Sequence, residues 1–265
     1  MIINTEIVDN YIKFNDLECS KSHWIYSAII PGSIKFEEPN NINMKDILNL
    51  KNLILNLLEN FKPINYSLWH QVFTNEDFVS NNQEILVIVG LPEPYDALVR
   101  TNLEGDNVIV FDIVRLLGYS NLDRIIPAIV THEFTHILID KKFNLYKDGL
   151  DIFTKLKQLL FDEGFAHYLS FENIENFNNE DKDLLNFRMN AFTKLNEIVE
   201  NEITEEILEE GISGRFWDKF IAISGFFTVI EYMKEYGNIS ELYNQGYEYF
   251  WTYWSELVVS RNNFA

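Results

Sequence analysis

Residues 125–140 read IIPAIVTHEFTHILID, and no other segment restricts the fold of this chain as tightly. As a helix it is apolar on most sides, with Ile126, Val130, Phe134, Ile137 and Leu138 among its flanks, so it has to be buried. Two histidines and a glutamate inside such a helix are costly unless each finds a partner. His132 and His136 stand four residues apart, about one helical turn, and project from the same face. Two neutral imidazoles placed in that way can address one cation, and imidazole suits zinc. Glu133 is turned about 100° from His132, so it need not bind the metal and could instead reach a metal-bound water as general base. The competing structural reading is a pair of core histidines held by ordinary hydrogen bonds.

A third ligand has to come from another part of the chain. The segment LKQLLFDEGFAHYLSF (156–171) is helical in pattern, with Asp151 as a candidate N-cap. Its apolar stripe passes through Ile152, Leu156 and Leu160 and continues through Glu163 and His167. A carboxylate on a buried stripe needs a positive partner, which makes Glu163 the best candidate ligand. Gly164 and Ala166 beside it are small and would allow this helix to press closely on the motif helix; glycine inside a helix is destabilising, so a packing reason is expected.

His132-Glu133-x-x-His136 followed after 26 residues by Glu163-Gly164-x-Ala166 resembles the gluzincin clan of zinc metallopeptidases, and within it the uncharacterised predicted zinc-dependent proteases of bacteria. The resemblance spans about 45 residues, Ile125 to Leu169, and more weakly the β-hairpin before them. It implies His132, His136 and Glu163 as ligands of Zn2+, Glu133 as catalytic base, and a zincin-like α+β fold whose hairpin runs alongside extended substrate. Thermolysin-like members have an acidic residue four positions after the ligand glutamate; here that position is His167. A Gly-Ala-Met-Glu-Asn motif of the aminopeptidase type is missing.

Other residues compete for roles at such a site. Asp140, four after His136, could anchor a histidine. His167 could be an added ligand, an oxyanion stabiliser or a hydrogen-bonded core residue, and Tyr168 and Tyr232 are conceivable carbonyl-polarising groups, although packing is the commoner use of a tyrosine. Asp162 reads as solvent-facing or ion-paired along its helix. His23 and His70, beside Trp24 and Trp69, read as structural, and the aromatic run 243–254 as a helix packing its stripe into the core.

Composition removes several classes of partner. A net charge of −20 repels nucleic-acid phosphates, and the crowding of acidic residues over 172–210 is the usual mark of a solvated surface. The longest dominantly apolar stretch, 220–230, is too short for a membrane span, and no secretion signal is visible at the N-terminus. The single cysteine, Cys19, leaves no internal disulfide and fits a reducing compartment. The expectation is a soluble cytoplasmic protein with a peptide or protein substrate, no nucleic acid and no membrane.

Helices are expected over 42–60, 67–79, 123–141, 151–172, 182–200, 214–236 and 239–258, and strands over 85–90, 97–103 and 107–114, with a hairpin turn at Glu104-Gly105-Asp106-Asn107. The expected architecture is α+β: a small, mainly antiparallel sheet before a predominantly helical C-terminal half. It forms one zincin-like unit over 1–265, with a subdivision conceivable into 1–118, which holds the sheet, and 119–265, which holds the metal site. The function expected is hydrolysis of peptide bonds by a zinc-bound water with Glu133 as base. Alternatives are a zinc amidohydrolase acting on a non-peptide amide and a catalytically silent zinc-binding interaction protein.

Overall fold

The computed structural model describes residues 1–29, 36–39, 42–73, 83–92, 95–174 and 181–262, with side chains as far as 259. The chain divides into two compact units, Met1–Pro63 with Asn75–Ile137, and Ile64–Thr74 with Leu138–Ala265. The class is α+β, with a four-stranded mixed sheet among the described residues.

The first unit holds the sheet, in the order β1-β2-β4-β3, from β1 (Ile2–Asn4), β2 (Glu84–Ile88), β3 (Ala97–Thr101) and β4 (Asn107–Asp112). The expected hairpin is β3–β4, antiparallel, with Arg100 opposite Val108. Its loop is built as an Asx turn in which Asn102 Oδ1 accepts from the Glu104 and Asp106 amides, and Gly105 takes φ 91°. The rest of the sheet corrects the antiparallel expectation: β1 and β4 both run parallel to β2. Ile85–Val89 are all at 0% exposure, and this unbroken apolar run is the pattern of a strand covered on both faces, as parallel strands are. A three-residue strand such as β1 carries no period to detect.

Around the sheet lie α1 (Glu6–Phe14), α2 (Trp24–Ala28) and α3 (Met44–Glu59); α1 packs on β2 and α2 on β3. β4 stops at Asp112, two residues short of expectation, because the Asp112 side chain caps a following helical turn. Its Oδ1 accepts from the Val114 and Arg115 amides, and its Oδ2 from the Gly90 and Leu91 amides, at 2.5–3.2 Å. One buried carboxylate thus ties the loop after β2 to the start of the helical turn through four backbone N–H groups.

In the second unit, α4 (Tyr66–Val72) is followed, after the capped turn α5 (Ile113–Leu116) and the motif helix α6 (Leu122–Phe143) in chain order, by α7 (Ile152–Ser170), α8 (Lys182–Glu200), α9 (Glu205–Ile212), α10 (Phe220–Tyr236) and α11 (Ile239–Asn262), which breaks at Gly246. The helix expected over 67–79 ends at Val72, and its remainder from 74 lies outside the described residues. Asp151 caps α7 as expected, accepting from the Thr154 amide at 2.9 Å. The partner of Gly164 in the second unit is Gly225 of α10: a Cβ on Gly164 would lie 2.7 Å from the Gly225 carbonyl carbon, and one on Gly225 would lie 2.1 Å from the Leu160 carbonyl oxygen. The aromatic run 243–254 packs as expected, with Tyr243, Phe250, Tyr253 and Trp254 buried. Among the described residues no helix is long and apolar enough to cross a membrane.

Candidate metal centre

In the first unit, α6 carries the histidine motif. Asn121, with φ 59°, turns the chain into the helix, and its carbonyl accepts from the Ile125 amide at 3.1 Å. Pro127 lies inside the helix and contributes no N–H. Thr131 and Thr135 are fully buried, and their hydroxyls donate back to the Pro127 and Thr131 carbonyls, each at 2.7 Å. These threonines are therefore satisfied inside the helix itself. His132 and His136 are brought together: their Nε2 atoms are 3.0 Å apart, with the rings nearly perpendicular at 88°. Glu133 is buried beside them at 9% exposure, and Arg100 of β3 lies within electrostatic reach of it.

Arg100 was not foreseen from the sequence. Its guanidinium donates to three backbone carbonyls, from Nε to Ala28 at 3.0 Å, from one terminal nitrogen to Val99 at 2.7 Å and from the other to Ile29 at 3.0 Å. Burial lowers its pKa below the usual arginine value, while Tyr95 and Glu133 act in the opposite direction.

In the second unit, α7 carries Glu163 and His167 one turn apart, with Glu163 Oε2 3.4 Å from His167 Nε2. The His167 ring stands edge-on to Phe216, with centroids 4.9 Å apart. Asp162 corrects its sequence reading: it is buried at 3% exposure, and its carboxylate accepts from the Tyr146 hydroxyl. Tyr146 adopts φ 57°, its amide donates to the buried Gln158 side chain at 3.0 Å, and its hydroxyl turns inward while the ring stays partly exposed. Burial, then the charge and hydrogen bond of Asp162, raise the Tyr146 phenol well above its ordinary value. Nothing in the sequence marks Tyr146, since a tyrosine in the left-handed region is uncommon.

The remaining candidates fall into place by unit. Burial, and then the Asp162 charge, raise the Asp140 pKa against the opposing effect of the Leu145 amide, and the Asp140 carbonyl accepts from the Asn144 amide at 2.6 Å where α6 ends. Tyr168 and Tyr232 are buried in the second unit, at 5% and 2% exposure. His23 caps α2, its Nδ1 accepting from the Ile25 amide at 3.4 Å, and His70 Nε2 meets the Tyr66 hydroxyl at 2.7 Å, so both are structural as read.

Chemically, the first unit supplies two convergent imidazoles and a neighbouring carboxylate, and the second a carboxylate–imidazole pair. No protein-family model, curated protein or solved structure matches the chain.

Proposed function

We propose that this protein is a zinc-dependent hydrolase of the gluzincin type that cleaves peptide bonds, with His132, His136 and Glu163 as ligands and Glu133 as general base. The observation that carries the reading is the 3.0 Å separation of the His132 and His136 Nε2 atoms. Two nitrogens each about 2.0–2.1 Å from one tetrahedral zinc ion stand roughly 3.3 Å apart, so little movement would let both imidazoles bind it. Donor chemistry adds support: α7 of the second unit offers a carboxylate and an imidazole one turn apart, Glu163 and His167, and both are ligand types that zinc takes. That set also gives a second reading, in which His167 joins or replaces His136 as a ligand.

A zinc ion held there would supply Lewis acidity, polarising an amide carbonyl and acidifying water towards neutrality. Glu133 contributes the proton transfers, removing one from the attacking water and delivering it to the departing amine. Its neighbours on α6 do not compete for that role, because the Thr131 and Thr135 hydroxyls are bonded within the helix. A peptide or protein is the proposed substrate; a non-peptide amide would be cleaved by the same groups, and a substrate panel separates the two. With one cysteine and no internal disulfide the chain suits a reducing setting, and we place it in the cytoplasm.

The test is the metal content of full-length protein purified without chelator, for wild type and for Glu163→Ala. About one zinc per chain is expected in wild type, lost or greatly reduced in the variant. A wild type that stays metal-free after incubation with zinc would leave His132 and His136 as a hydrogen-bonded pair and end the hydrolase reading. Full zinc retention in Glu163→Ala, with loss in His167→Ala, would select the second ligand set.

A further inference from the structure

Arg100 is half-buried, yet among the described residues no carboxylate lies within ion-pair distance of it. A guanidinium removed from water without an anion is expensive, so an anionic ligand that completes the pairing would be favoured there. Three backbone carbonyls hold the side chain, two of them at the C-terminal end of α2. A guanidinium has five N–H donors, so about two stay available after those three bonds. Fixed in that way, the fork is set before a ligand arrives, which suits planar recognition of a carboxylate. Tyr95, within electrostatic reach of Arg100, adds a hydroxyl that makes no hydrogen bond among the described residues. In a chain with a net charge of −20, a half-buried cation with no carboxylate at ion-pair distance among the described residues is a selective place for an anion.

We propose that Arg100 is a carboxylate-binding site on the first unit, and that it anchors a carboxylate of the substrate. The anion site stands without the metal; its assignment to the substrate rests on the hydrolase reading, since Glu133, the proposed base, lies within electrostatic reach of the same guanidinium. The carboxylate is either the C-terminal group of a peptide or an acidic side chain, and both present the same planar acceptor. Arg100 also caps α2, so loss of stability alone does not identify the site.

The experiment titrates full-length protein with three probes by calorimetry at fixed ionic strength, first with one equivalent of zinc and then in chelator. The probes are acetyl-diglycine as the free acid, acetyl-diglycine amide, and acetyl-glutamyl-glycine amide. At least one carboxylate probe is expected to bind wild type tenfold or more tightly than the neutral amide, with and without zinc. A preference for the free acid assigns the C-terminal group, and a preference for the glutamyl peptide assigns the side chain. The preference should disappear in Arg100→Met; if that variant does not fold, Arg100→Lys, which keeps the charge and loses the fork, should weaken it at least threefold. Equal binding of all three probes to wild type, a preference seen only with zinc, or one that survives in the folded variants would overturn the proposal. Because the chelator arm contains no metal, failure of the zinc reading leaves this result interpretable.

Discussion

Helices α6 and α7 each carry a polar pair one turn apart, His132–His136 and Glu163–His167, but the two pairs are embedded differently. On α6 the neighbouring threonines are settled locally, because Thr131 and Thr135 return their hydroxyls to their own helix. On α7 they are settled by residues from other segments: Tyr146 holds Asp162, Phe216 stands against His167, and Gly164 meets the backbone of α10 at Gly225. A motif whose neighbours are satisfied inside one helix can be recognised from spacing alone. One whose surroundings come from distant segments cannot.

The sharpest way to test this contrast is to alter one member of each surrounding and see what is lost. On α6, Glu133→Gln keeps the shape of the side chain and removes its basicity. Zinc content should stay at the wild-type level while peptide turnover falls about 10²–10⁴-fold, the usual contribution of a general base. Turnover like that of wild type would remove Glu133 from the mechanism without touching the metal proposal.

On α7 the expected loss is of packing. Gly225→Ala would normally stabilise a helix by about 1 kcal/mol. Here the added methyl meets the Leu160 carbonyl oxygen at 2.1 Å, so destabilisation by about 1–3 kcal/mol is expected in urea unfolding. A stabilised variant would show that α7 and α10 can separate freely at this crossing.

The smallest effect concerns pH. The Tyr146 phenol is held above its ordinary value of 10.0, first by burial and then by Asp162, so the folded protein keeps a proton that the unfolded chain releases. The stabilisation is complete below pH 10 and is lost as the pH rises through the raised value. Urea midpoints of wild type should therefore fall more steeply above pH 10 than those of Tyr146→Phe. Parallel curves would mean that the hydroxyl does not titrate differently in the two states.

Much of this was legible before the fold was known. The period of 125–140 gave the helix and the common face of His132 and His136, and the turn at 104–107 gave the β3–β4 hairpin. The error in strand direction lay where local pattern says little: β1 is too short to show a period, and the parallel pairing of β2 depends on which strand arrives beside it. Asp162 was misread for the same reason, since its partner Tyr146 lies outside α7 and reaches it only through an unusual backbone conformation.

By itself the sequence determined what a single helix or hairpin decides: the spacing of the candidate ligands, the placement of Glu133 one step round from them, and the caps and turns. These depend on contacts within a few residues, where helix and turn geometry is nearly invariant. The tertiary structure alone decided which strands run parallel, which glycine Gly164 must face, and that Arg100 is a half-buried cation held by three backbone carbonyls. Those outcomes depend on desolvation and close packing between segments far apart in the chain, and no local pattern encodes them.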